Sequence, residues 1–324
     1  MNNSLRIFLL AATAVAASAA AVMACQVPVF RYALERWSAD KYQVIVLSSK
    51  PLDAAQNTSL QRLQSAQTEH GANFEVTTAD VTAIQDERLL QLWNQHQSKD
   101  APLMVVLYPH TAENVADRVI ESGELTSQAV DRLLQSPVRK EVAQRLASGQ
   151  SAVWIFVPSG DTEKDDVALR TLEQRLAANQ HNLTVPTAEV LDIDPLRLEN
   201  NKIPLRIEFS IVKLDRHDLQ ETFLSAVLAH SEAELSHSEP QAFPVFGRGR
   251  VLYGLVGRGI MPATIDTACK FMAGPCSCQV KNLNPGVDLL LSYKWDQAVE
   301  GSLISDALPD ESAEPVLLTI PPGR

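Results

Sequence analysis

Basic residues are scarce in this sequence. Its 324 residues include 28 Lys and Arg against 39 Asp and Glu, which gives a formal net charge of −11. A surface with this excess of carboxylates repels a phosphate backbone, so nucleic acid is excluded as a general partner. With 45% hydrophobic residues, the chain nevertheless has enough apolar side chains to build a folded core.

Specific catalytic motifs are also missing. The chain contains no Gly-x-Ser-x-Gly, His-Glu-x-x-His or Walker sequence. The order of its glycines does not match a dinucleotide-binding loop either. The sequence therefore predicts no cofactor, and it favours a non-enzymatic protein over an enzyme.

The sequence contains only one long apolar run. Residues 7–24 are apolar or small and follow Arg6, which is the layout of a secretory signal peptide. No later run approaches the roughly 18 residues that a membrane span requires. The sequence thus predicts a signal peptide over residues 1–24 and a mature protein in the periplasm or outside the cell.

Cys25, directly after this run, leaves two alternatives open. Residues 22–25 (VMAC) are a loose form of the lipobox of bacterial lipoproteins, and a lipid on Cys25 would be the protein's attachment to the membrane. Ordinary cleavage and release is the alternative. Release is favoured because Pro28 and an apolar helical face over residues 30–37 follow without the flexible linker that lipoproteins usually carry.

The rest of the chain alternates predicted strands and helices. The predicted strands of the first part are Tyr42–Ser48, Phe74–Thr78, Leu103–Tyr108 and Ala152–Val157. Helical patterns lie between them, including a helix over Leu60–Glu69 and two helices divided at Pro137, the second capped by Ser136. We therefore predict an α/β fold with a mainly parallel sheet in an N-terminal lobe over residues 25–180. Residues 181–203 are predicted as a linker, 204–300 as a second lobe, and 301–324 as an acidic, proline-bearing tail.

The second lobe has a strand–helix–hairpin–helix order. Its predicted elements are Leu205–Lys213, Asp218–Leu235, Phe243–Phe246 with Val251–Val256, and Ala263–Met272, and the turn Asn284-Pro285-Gly286 predicts one more strand, Val287–Trp295, after them. This order resembles the thioredoxin-like fold over residues 205–273, with a proline before the third strand and a glycine after the fourth. Thioredoxins carry Cys-x-x-Cys where the first long helix begins, and we place residues 215–218 (DRHD) there. The resemblance therefore implies a fold and not redox activity.

Three stretches also resemble a group of exported bacterial proteins of the kind found in planctomycete-like organisms. They are Cys25–Trp37, Phe243–Gly259 and Pro275–Leu290. The resemblance implies export and brings no activity with it.

Three of the four cysteines lie together at Cys269, Cys276 and Cys278. Exported proteins use cysteine mainly to form structural disulfides. We therefore predict a disulfide from Cys269 to Cys276 or Cys278, with the remaining cysteine of the three free or paired with Cys25. Two alternatives stay open. Cys276 and Cys278 could form a redox pair, or the thiolates could hold Zn(II) or Cu(I) with Met261 or Met272 nearby, although the spacing is not that of a zinc ribbon.

A glycine-rich segment contains the candidate anion-binding residues Arg248, Arg250 and Arg258. Glycine amides and guanidinium groups together bind carboxylates or phosphates. The alternative is a tight hairpin whose arginines pair with the protein's own carboxylates, and the hairpin alone explains the glycines.

Two further candidates have ordinary structural explanations. His230 lies on an apolar helix face and is predicted as a core residue. Asp161, Asp165 and Asp166 follow a strand, where a cation site could form, but they are also typical of a helix N-terminus.

Taken together, the signal peptide and the missing catalytic motifs favour an exported protein that binds an envelope protein, with a thiol oxidoreductase or a soft-metal protein as the alternative.

Overall fold

The computed structural model describes residues 25–96, 98, 100–113, 115–232, 235–236, 238–276, 281–300 and 303. The predicted signal peptide, Cys278 and all of the predicted tail except Leu303 lie outside the described residues. The chain is an α/β protein, as predicted, with two mixed sheets and one separate two-stranded pair.

The described chain begins with β1 (Cys25–Pro28) and α1 (Val29–Arg36), so the helix predicted after Pro28 is confirmed. All residues of α1 except Arg36 are buried. Among them, Arg31 donates to Glu35 at 2.6 Å and to the carbonyl of Ile203 at 2.9 Å. The pair with Glu35 compensates the buried charge of Arg31, and the bond to Ile203 connects α1 to a distant segment of the chain.

The first sheet follows the order strand, helix, strand, helix, strand, strand, helix. The elements are β2 (Tyr42–Ser48), α2 (Ala54–His70), β3 (Phe74–Asp80), α3 (Glu87–Gln95), β4 (Leu103–Leu107), β5 (Val119–Glu124) and α4 (Ser127–Leu134). In space the strands lie in the order β3-β2-β4-β5. Strands β2 and β3 are parallel, whereas β4 runs antiparallel to both β2 and β5.

Local sequence explains where these helices begin and end. Helix α2 begins earlier than the pattern predicts, because Asp53 accepts the Gln56 N–H at 2.8 Å and the Gln56 side chain accepts the Asp53 N–H at 2.9 Å. Gly71 ends it with φ 68°, and a Cβ there would lie 2.8 Å from the carbonyl oxygen of Tyr293. The predicted helix break at Pro137 is confirmed, with Ser136 as the N-cap of the next helix.

The rest of the chain begins with this helix, Pro137–Ala147, and contains the second sheet. Its elements are α5 (Pro137–Ala147), β6 (Ala152–Val157), α6 (Thr162–Asn182), α7 (Ala188–Leu191), α8 (Pro195–Glu199), β7 (Phe209–Lys213), α9 (Thr222–His230), β8 (Gln241–Phe246), β9 (Arg250–Val251), β10 (Leu255–Val256), α10 (Pro262–Ala273), β11 (Pro275–Cys276), β12 (Val287–Asp288) and α11 (Trp295–Ala298). The strand order is β12-β9-β8-β6-β7, with β10 beside β8. Strand β11 lies apart from this sheet and pairs with β1.

The two sheets share one topology. In each, the first strand lies between the second, which is parallel to it, and the third, which is antiparallel; the fourth then pairs antiparallel with the third. The helices after the first and fourth strands pack together, α2 with α4 and α6 with α10. Each sheet thus belongs to a βαβαββα unit.

Two predictions about organisation need correction. The N-terminal sheet is mixed rather than mainly parallel, because a buried apolar strand such as Leu103–Leu107 has the same pattern in either direction. Strand Ala152–Val157, predicted for the first lobe, lies at the centre of the second sheet. The second unit therefore begins before residues 181–203, which contain the end of α6 and the short helices α7 and α8.

Four predicted elements of the second unit are shorter or divided in the structure. The strand predicted over 205–213 covers Phe209–Lys213, the helix predicted over 218–235 covers Thr222–His230, and the strand predicted over 287–295 covers Val287–Asp288. The strand predicted over 251–256 is divided into β9 and β10, which both pair with β8.

The apolar core is shared by both units. Val44 and Val106 of the first sheet belong to the same buried cluster as Val153, Ile155 and Phe243 of the second. The alternate residues of β6 face the opposite side, where α6 and α10 cover them. This alternation follows the period-two geometry of a strand and leaves β6 buried on both faces.

Candidate functional site

A cleft of about 650 Å³ is lined by both units. The first contributes Asp40 and the loop after β4, and the second contributes the end of α9, strand β9 and the segment before β12. Clefts of this size are typical of ligand sites, which makes this the candidate functional site.

Asp40 and Arg250 of the cleft lining join Lys281 and Asp288 in a largely buried cluster of two cations and two carboxylates, the floor cluster. Arg250 donates to Asp288 at 3.2 Å, and Lys281 forms ion pairs with Asp288 and, at 2.8 Å, with Asp40. Asp288 is only 3% exposed. Each cation in the cluster is therefore already bound to carboxylates of the protein itself.

Strand pairing brings this cluster together. Asp288 lies directly opposite Arg250 in the β9–β12 ladder. Gly286, just before β12, has φ 116°, and a Cβ there would lie 2.3 Å from the carbonyl oxygen of Val251. Only glycine fits this approach, so the turn over residues 284–286 depends on it. The guanidinium of Arg250 also donates to the carbonyls of that turn.

The side of the cleft formed by loops is acidic and partly apolar. Glu113 is exposed and makes no ion pair with a described residue. Glu232 accepts the Gly254 N–H at 2.6 Å, and no described cation pairs with it. Leu283 is 74% exposed beside them. Burial raises the pKa of the half-buried Tyr253, so its phenol stays protonated at neutral pH.

The three predicted anion-binding arginines do not converge. Arg248 donates to the carbonyl of Leu34 at 2.9 Å and to Asp296 at 2.8 Å, whereas Arg250 lies in the floor cluster. Arg258 is exposed on a separate turn. Arg248 and Arg250 therefore follow the alternative, in which hairpin arginines pair with the protein's own carboxylates.

The cysteines are placed differently from the prediction. Cys269 is a buried free thiol on α10, and no disulfide joins it to Cys276. The helix turns Cys269 into the apolar cluster with Ile265 and Met272. Burial raises the pKa of Cys269 to about 12, with a smaller effect of the nearby carboxylate of Asp266. Such a thiol is a weak nucleophile at neutral pH.

Cys276 lies in β11, 1% exposed, and its α-carbon is paired with that of Cys25 in β1. Cys278 lies outside the described residues. Met272 is buried and Met261 is exposed. Among the described residues, no group of three or more His, Cys, Asp or Glu side chains is placed to hold a metal ion.

The remaining candidates have local roles. Asp161 accepts the N–H groups of Glu163 and Lys164 at the start of α6, and Asp165 accepts those of Ser159 and Gly160. Asp166 is exposed on the same helix. Separately, His230 ends α9, and its Nδ1 is buried without a hydrogen-bond partner among the described residues.

Sequence reasoning missed Asp40, Glu113 and Glu232 of the cleft lining, and Lys281 and Asp288 of the floor cluster. These residues come from four separate segments of the chain, so no local spacing connects the whole set. The one local signal was the Asn-Pro-Gly turn before β12, which predicted a strand but not its charged partner.

No protein-family model and no curated protein matches this chain. In the part of the chain that the structure describes, no helix has both the length and the apolar character needed to cross a membrane.

Proposed function

We propose that this protein is an exported, non-enzymatic protein that acts by binding an envelope protein, and that the cleft receives a basic segment of that partner. One observation carries the proposal. Arg250 and Lys281 are bound by Asp288 and Asp40, while Glu113 and Glu232 have no ion pair among the described residues. The cleft therefore presents negative charge to solvent.

The chemistry of the cleft fits a particular kind of segment. Carboxylates beside a low-dielectric wall attract cations and orient them during encounter. Leu283 and Tyr253 add an apolar contact and a phenol that donates a hydrogen bond. A segment with a lysine or arginine next to an apolar side chain would satisfy both features.

We further propose that both units are thioredoxin-like, with β6 rather than the strand near residue 205 as the first strand of the second unit. Their strand order and the packing of α2 on α4 and of α6 on α10 support this likeness. The position of the thioredoxin cysteines then corresponds to residues 49–53 and 158–161, before α2 and α6. Neither stretch contains cysteine, which favours binding over thiol exchange.

The alternative of a thiol oxidoreductase at Cys276 and Cys278 has less support. Cys276 is buried, and reactive thiols are exposed and have a lowered pKa. The neighbouring Cys269 has the opposite character, with a pKa raised to about 12 by burial.

The test is crosslinking of the exported protein in envelope extracts, together with titration of the purified protein by a labelled lysine–leucine peptide. We expect a crosslinked complex, and we expect Glu113→Lys and Leu283→Asn each to weaken peptide binding about tenfold, or ~1.4 kcal/mol. The matched controls are Glu173→Lys and Leu219→Asn, at exposed positions outside the cleft.

Two results would count against the proposal. One is recovery of monomer alone from extracts at native abundance. The other is equal loss of binding in the cleft variants and in their controls, because that would locate the binding outside the cleft.

A further inference from the structure

Cys25 and Cys276 are neighbours although they lie near opposite ends of the described chain. Strands β1 and β11 pair antiparallel, with Cys25 opposite Cys276 and Pro28 opposite Pro275, and the register shifts at an irregularity between Cys25 and Pro28. The next residue, Val29, donates to the carbonyl of Gly274 at 2.9 Å, which fixes the end of this pair. Opposed α-carbons in an antiparallel ladder are about 4.5–5.5 Å apart. Disulfides require about 4.4–6.8 Å, so the register meets their first geometric condition.

The surroundings of this pair also suit a covalent bond. Strands β1 and β11 form a sheet of their own, and an isolated two-stranded pair is only marginally stable in water. Cys276 belongs to the buried cluster that contains Val29 and Phe30 of α1. A bond at this position would therefore hold the buried helix α1 to the segment that follows α10.

We propose that Cys25 and Cys276 form a disulfide in the exported protein. The proposal rests on the proposed export, since disulfides persist mainly in oxidising compartments. The two thiols lose two protons and two electrons, and an S–S bond forms between them. A disulfide-bearing oxidant, such as an oxidised low-molecular-weight thiol, accepts the electrons and leaves as two thiols. The bond excludes a lipid on Cys25, because a lipid thioether would occupy the same sulfur.

Peptide mapping of the exported protein tests the bond. The protein is unfolded in denaturant, alkylated without reductant and digested with trypsin. We expect the peptide Cys25–Arg31 linked to Phe271–Lys281, separated by reduction, and an alkylated Cys269 in Gly259–Lys270. Because Phe271–Lys281 contains two cysteines, matched variants are needed. Cys278→Ser should retain the linked pair, and Cys276→Ser should lose it.

Oxidation of the purified protein outside the cell distinguishes a failure of the disulfide proposal from a failure of the proposed export. The purified full chain is incubated with glutathione disulfide, which supplies the oxidant outside any cell. If the Cys25–Cys276 disulfide forms in the purified protein but is absent from cells, the proposed export is refuted, while the proximity of the two cysteines is supported. No link under either condition, a link that survives Cys276→Ser, or a diacylglycerol mass on Cys25 would overturn the disulfide.

A stability measurement gives an independent readout. Reductant should lower the thermal midpoint of the linked protein by about 5 °C, because the bond closes a long loop in the unfolded chain. The same reductant should leave the midpoint of Cys276→Ser unchanged. An equal response of both proteins would contradict the bond.

Discussion

At the scale of single residues, Asp288 holds together three segments of the chain beside the cleft, and no pattern in the sequence predicted this role. It accepts from Arg250, from Lys281 and from the backbone N–H of Asp40, and it is almost completely buried. A buried charge is tolerated only when it is paired and hydrogen-bonded, and each of these partners satisfies part of that requirement.

Replacing Asp288 by Ala should therefore destabilise the protein strongly. The change leaves Arg250 and Lys281 buried without their main counter-charge, and we expect a loss of about 3–5 kcal/mol in the free energy of unfolding. Urea denaturation followed by circular dichroism measures it.

The matched control is Asp296→Ala, which removes the partner of Arg248 at a side chain that is 91% exposed. An exposed pair contributes less than about 1 kcal/mol, so the two variants should differ clearly. Similar midpoints would mean that the floor cluster is not a buried network.

At the scale of elements, three hydrogen bonds to one carboxylate join α6 and α10 across an apolar interface. Arg175 of α6 donates twice to Asp266 of α10, at 3.0 and 2.6 Å, and Asn179 adds a bond at 2.7 Å. The hydrogen bonds from Arg175, followed by the one from Asn179, lower the pKa of Asp266. The contact fixes the relative position of the two helices that cover one face of β6.

The stabilisation from this contact should depend on pH. The folded-state pKa of Asp266 is lowered, so its contribution is present above the unfolded pKa of about 3.9 and is lost as the pH falls through the folded value. We expect Asp266→Asn to cost on the order of 1 kcal/mol at pH 7, and much less at pH 3. Urea midpoints at the two pH values test this.

Glu173→Gln, on the exposed side of α6, serves as the control and should change little at either pH. A deficit of Asp266→Asn that is the same at pH 3 and pH 7 would show that the carboxylate charge is not responsible.

At the scale of the whole molecule, the segment after β12 binds the second unit to the first. Asn73 donates to the carbonyl of Leu289 at 3.0 Å and accepts the N–H of Leu291 at 2.6 Å. The Tyr42 hydroxyl donates to the carbonyl of Asp288 at 2.6 Å. Together with the shared apolar cluster, these bonds make the units interdependent.

We therefore expect the chain of residues 25–324 to unfold in one cooperative transition and the fragment 25–180 to fail as a folded monomer. That fragment would carry β6 without its neighbours β7 and β8, leaving both edges of an apolar strand unpaired. Gel filtration and thermal circular dichroism test both statements. A monomeric fragment with its own sharp transition would instead support the domain division predicted from the sequence.

The sequence by itself determined the kind and much of the position of the regular elements. Tyr42–Ser48 and Ala152–Val157 have the predicted bounds, and the helix break at Ser136–Pro137 was also predicted. These features depend on side-chain periodicity, caps and the missing N–H of proline, which act over a few residues.

Only the tertiary structure decided which strands are neighbours, in which direction they run, and which distant residues meet. Strand β6 joined the second sheet, Asp40 and Lys281 met at Asp288, and Cys25 came opposite Cys276. The physical reason is that apolar burial is non-directional, so the same buried strand can satisfy several pairings. The choice among them depends on the packing of the whole chain, which no local pattern of residues records.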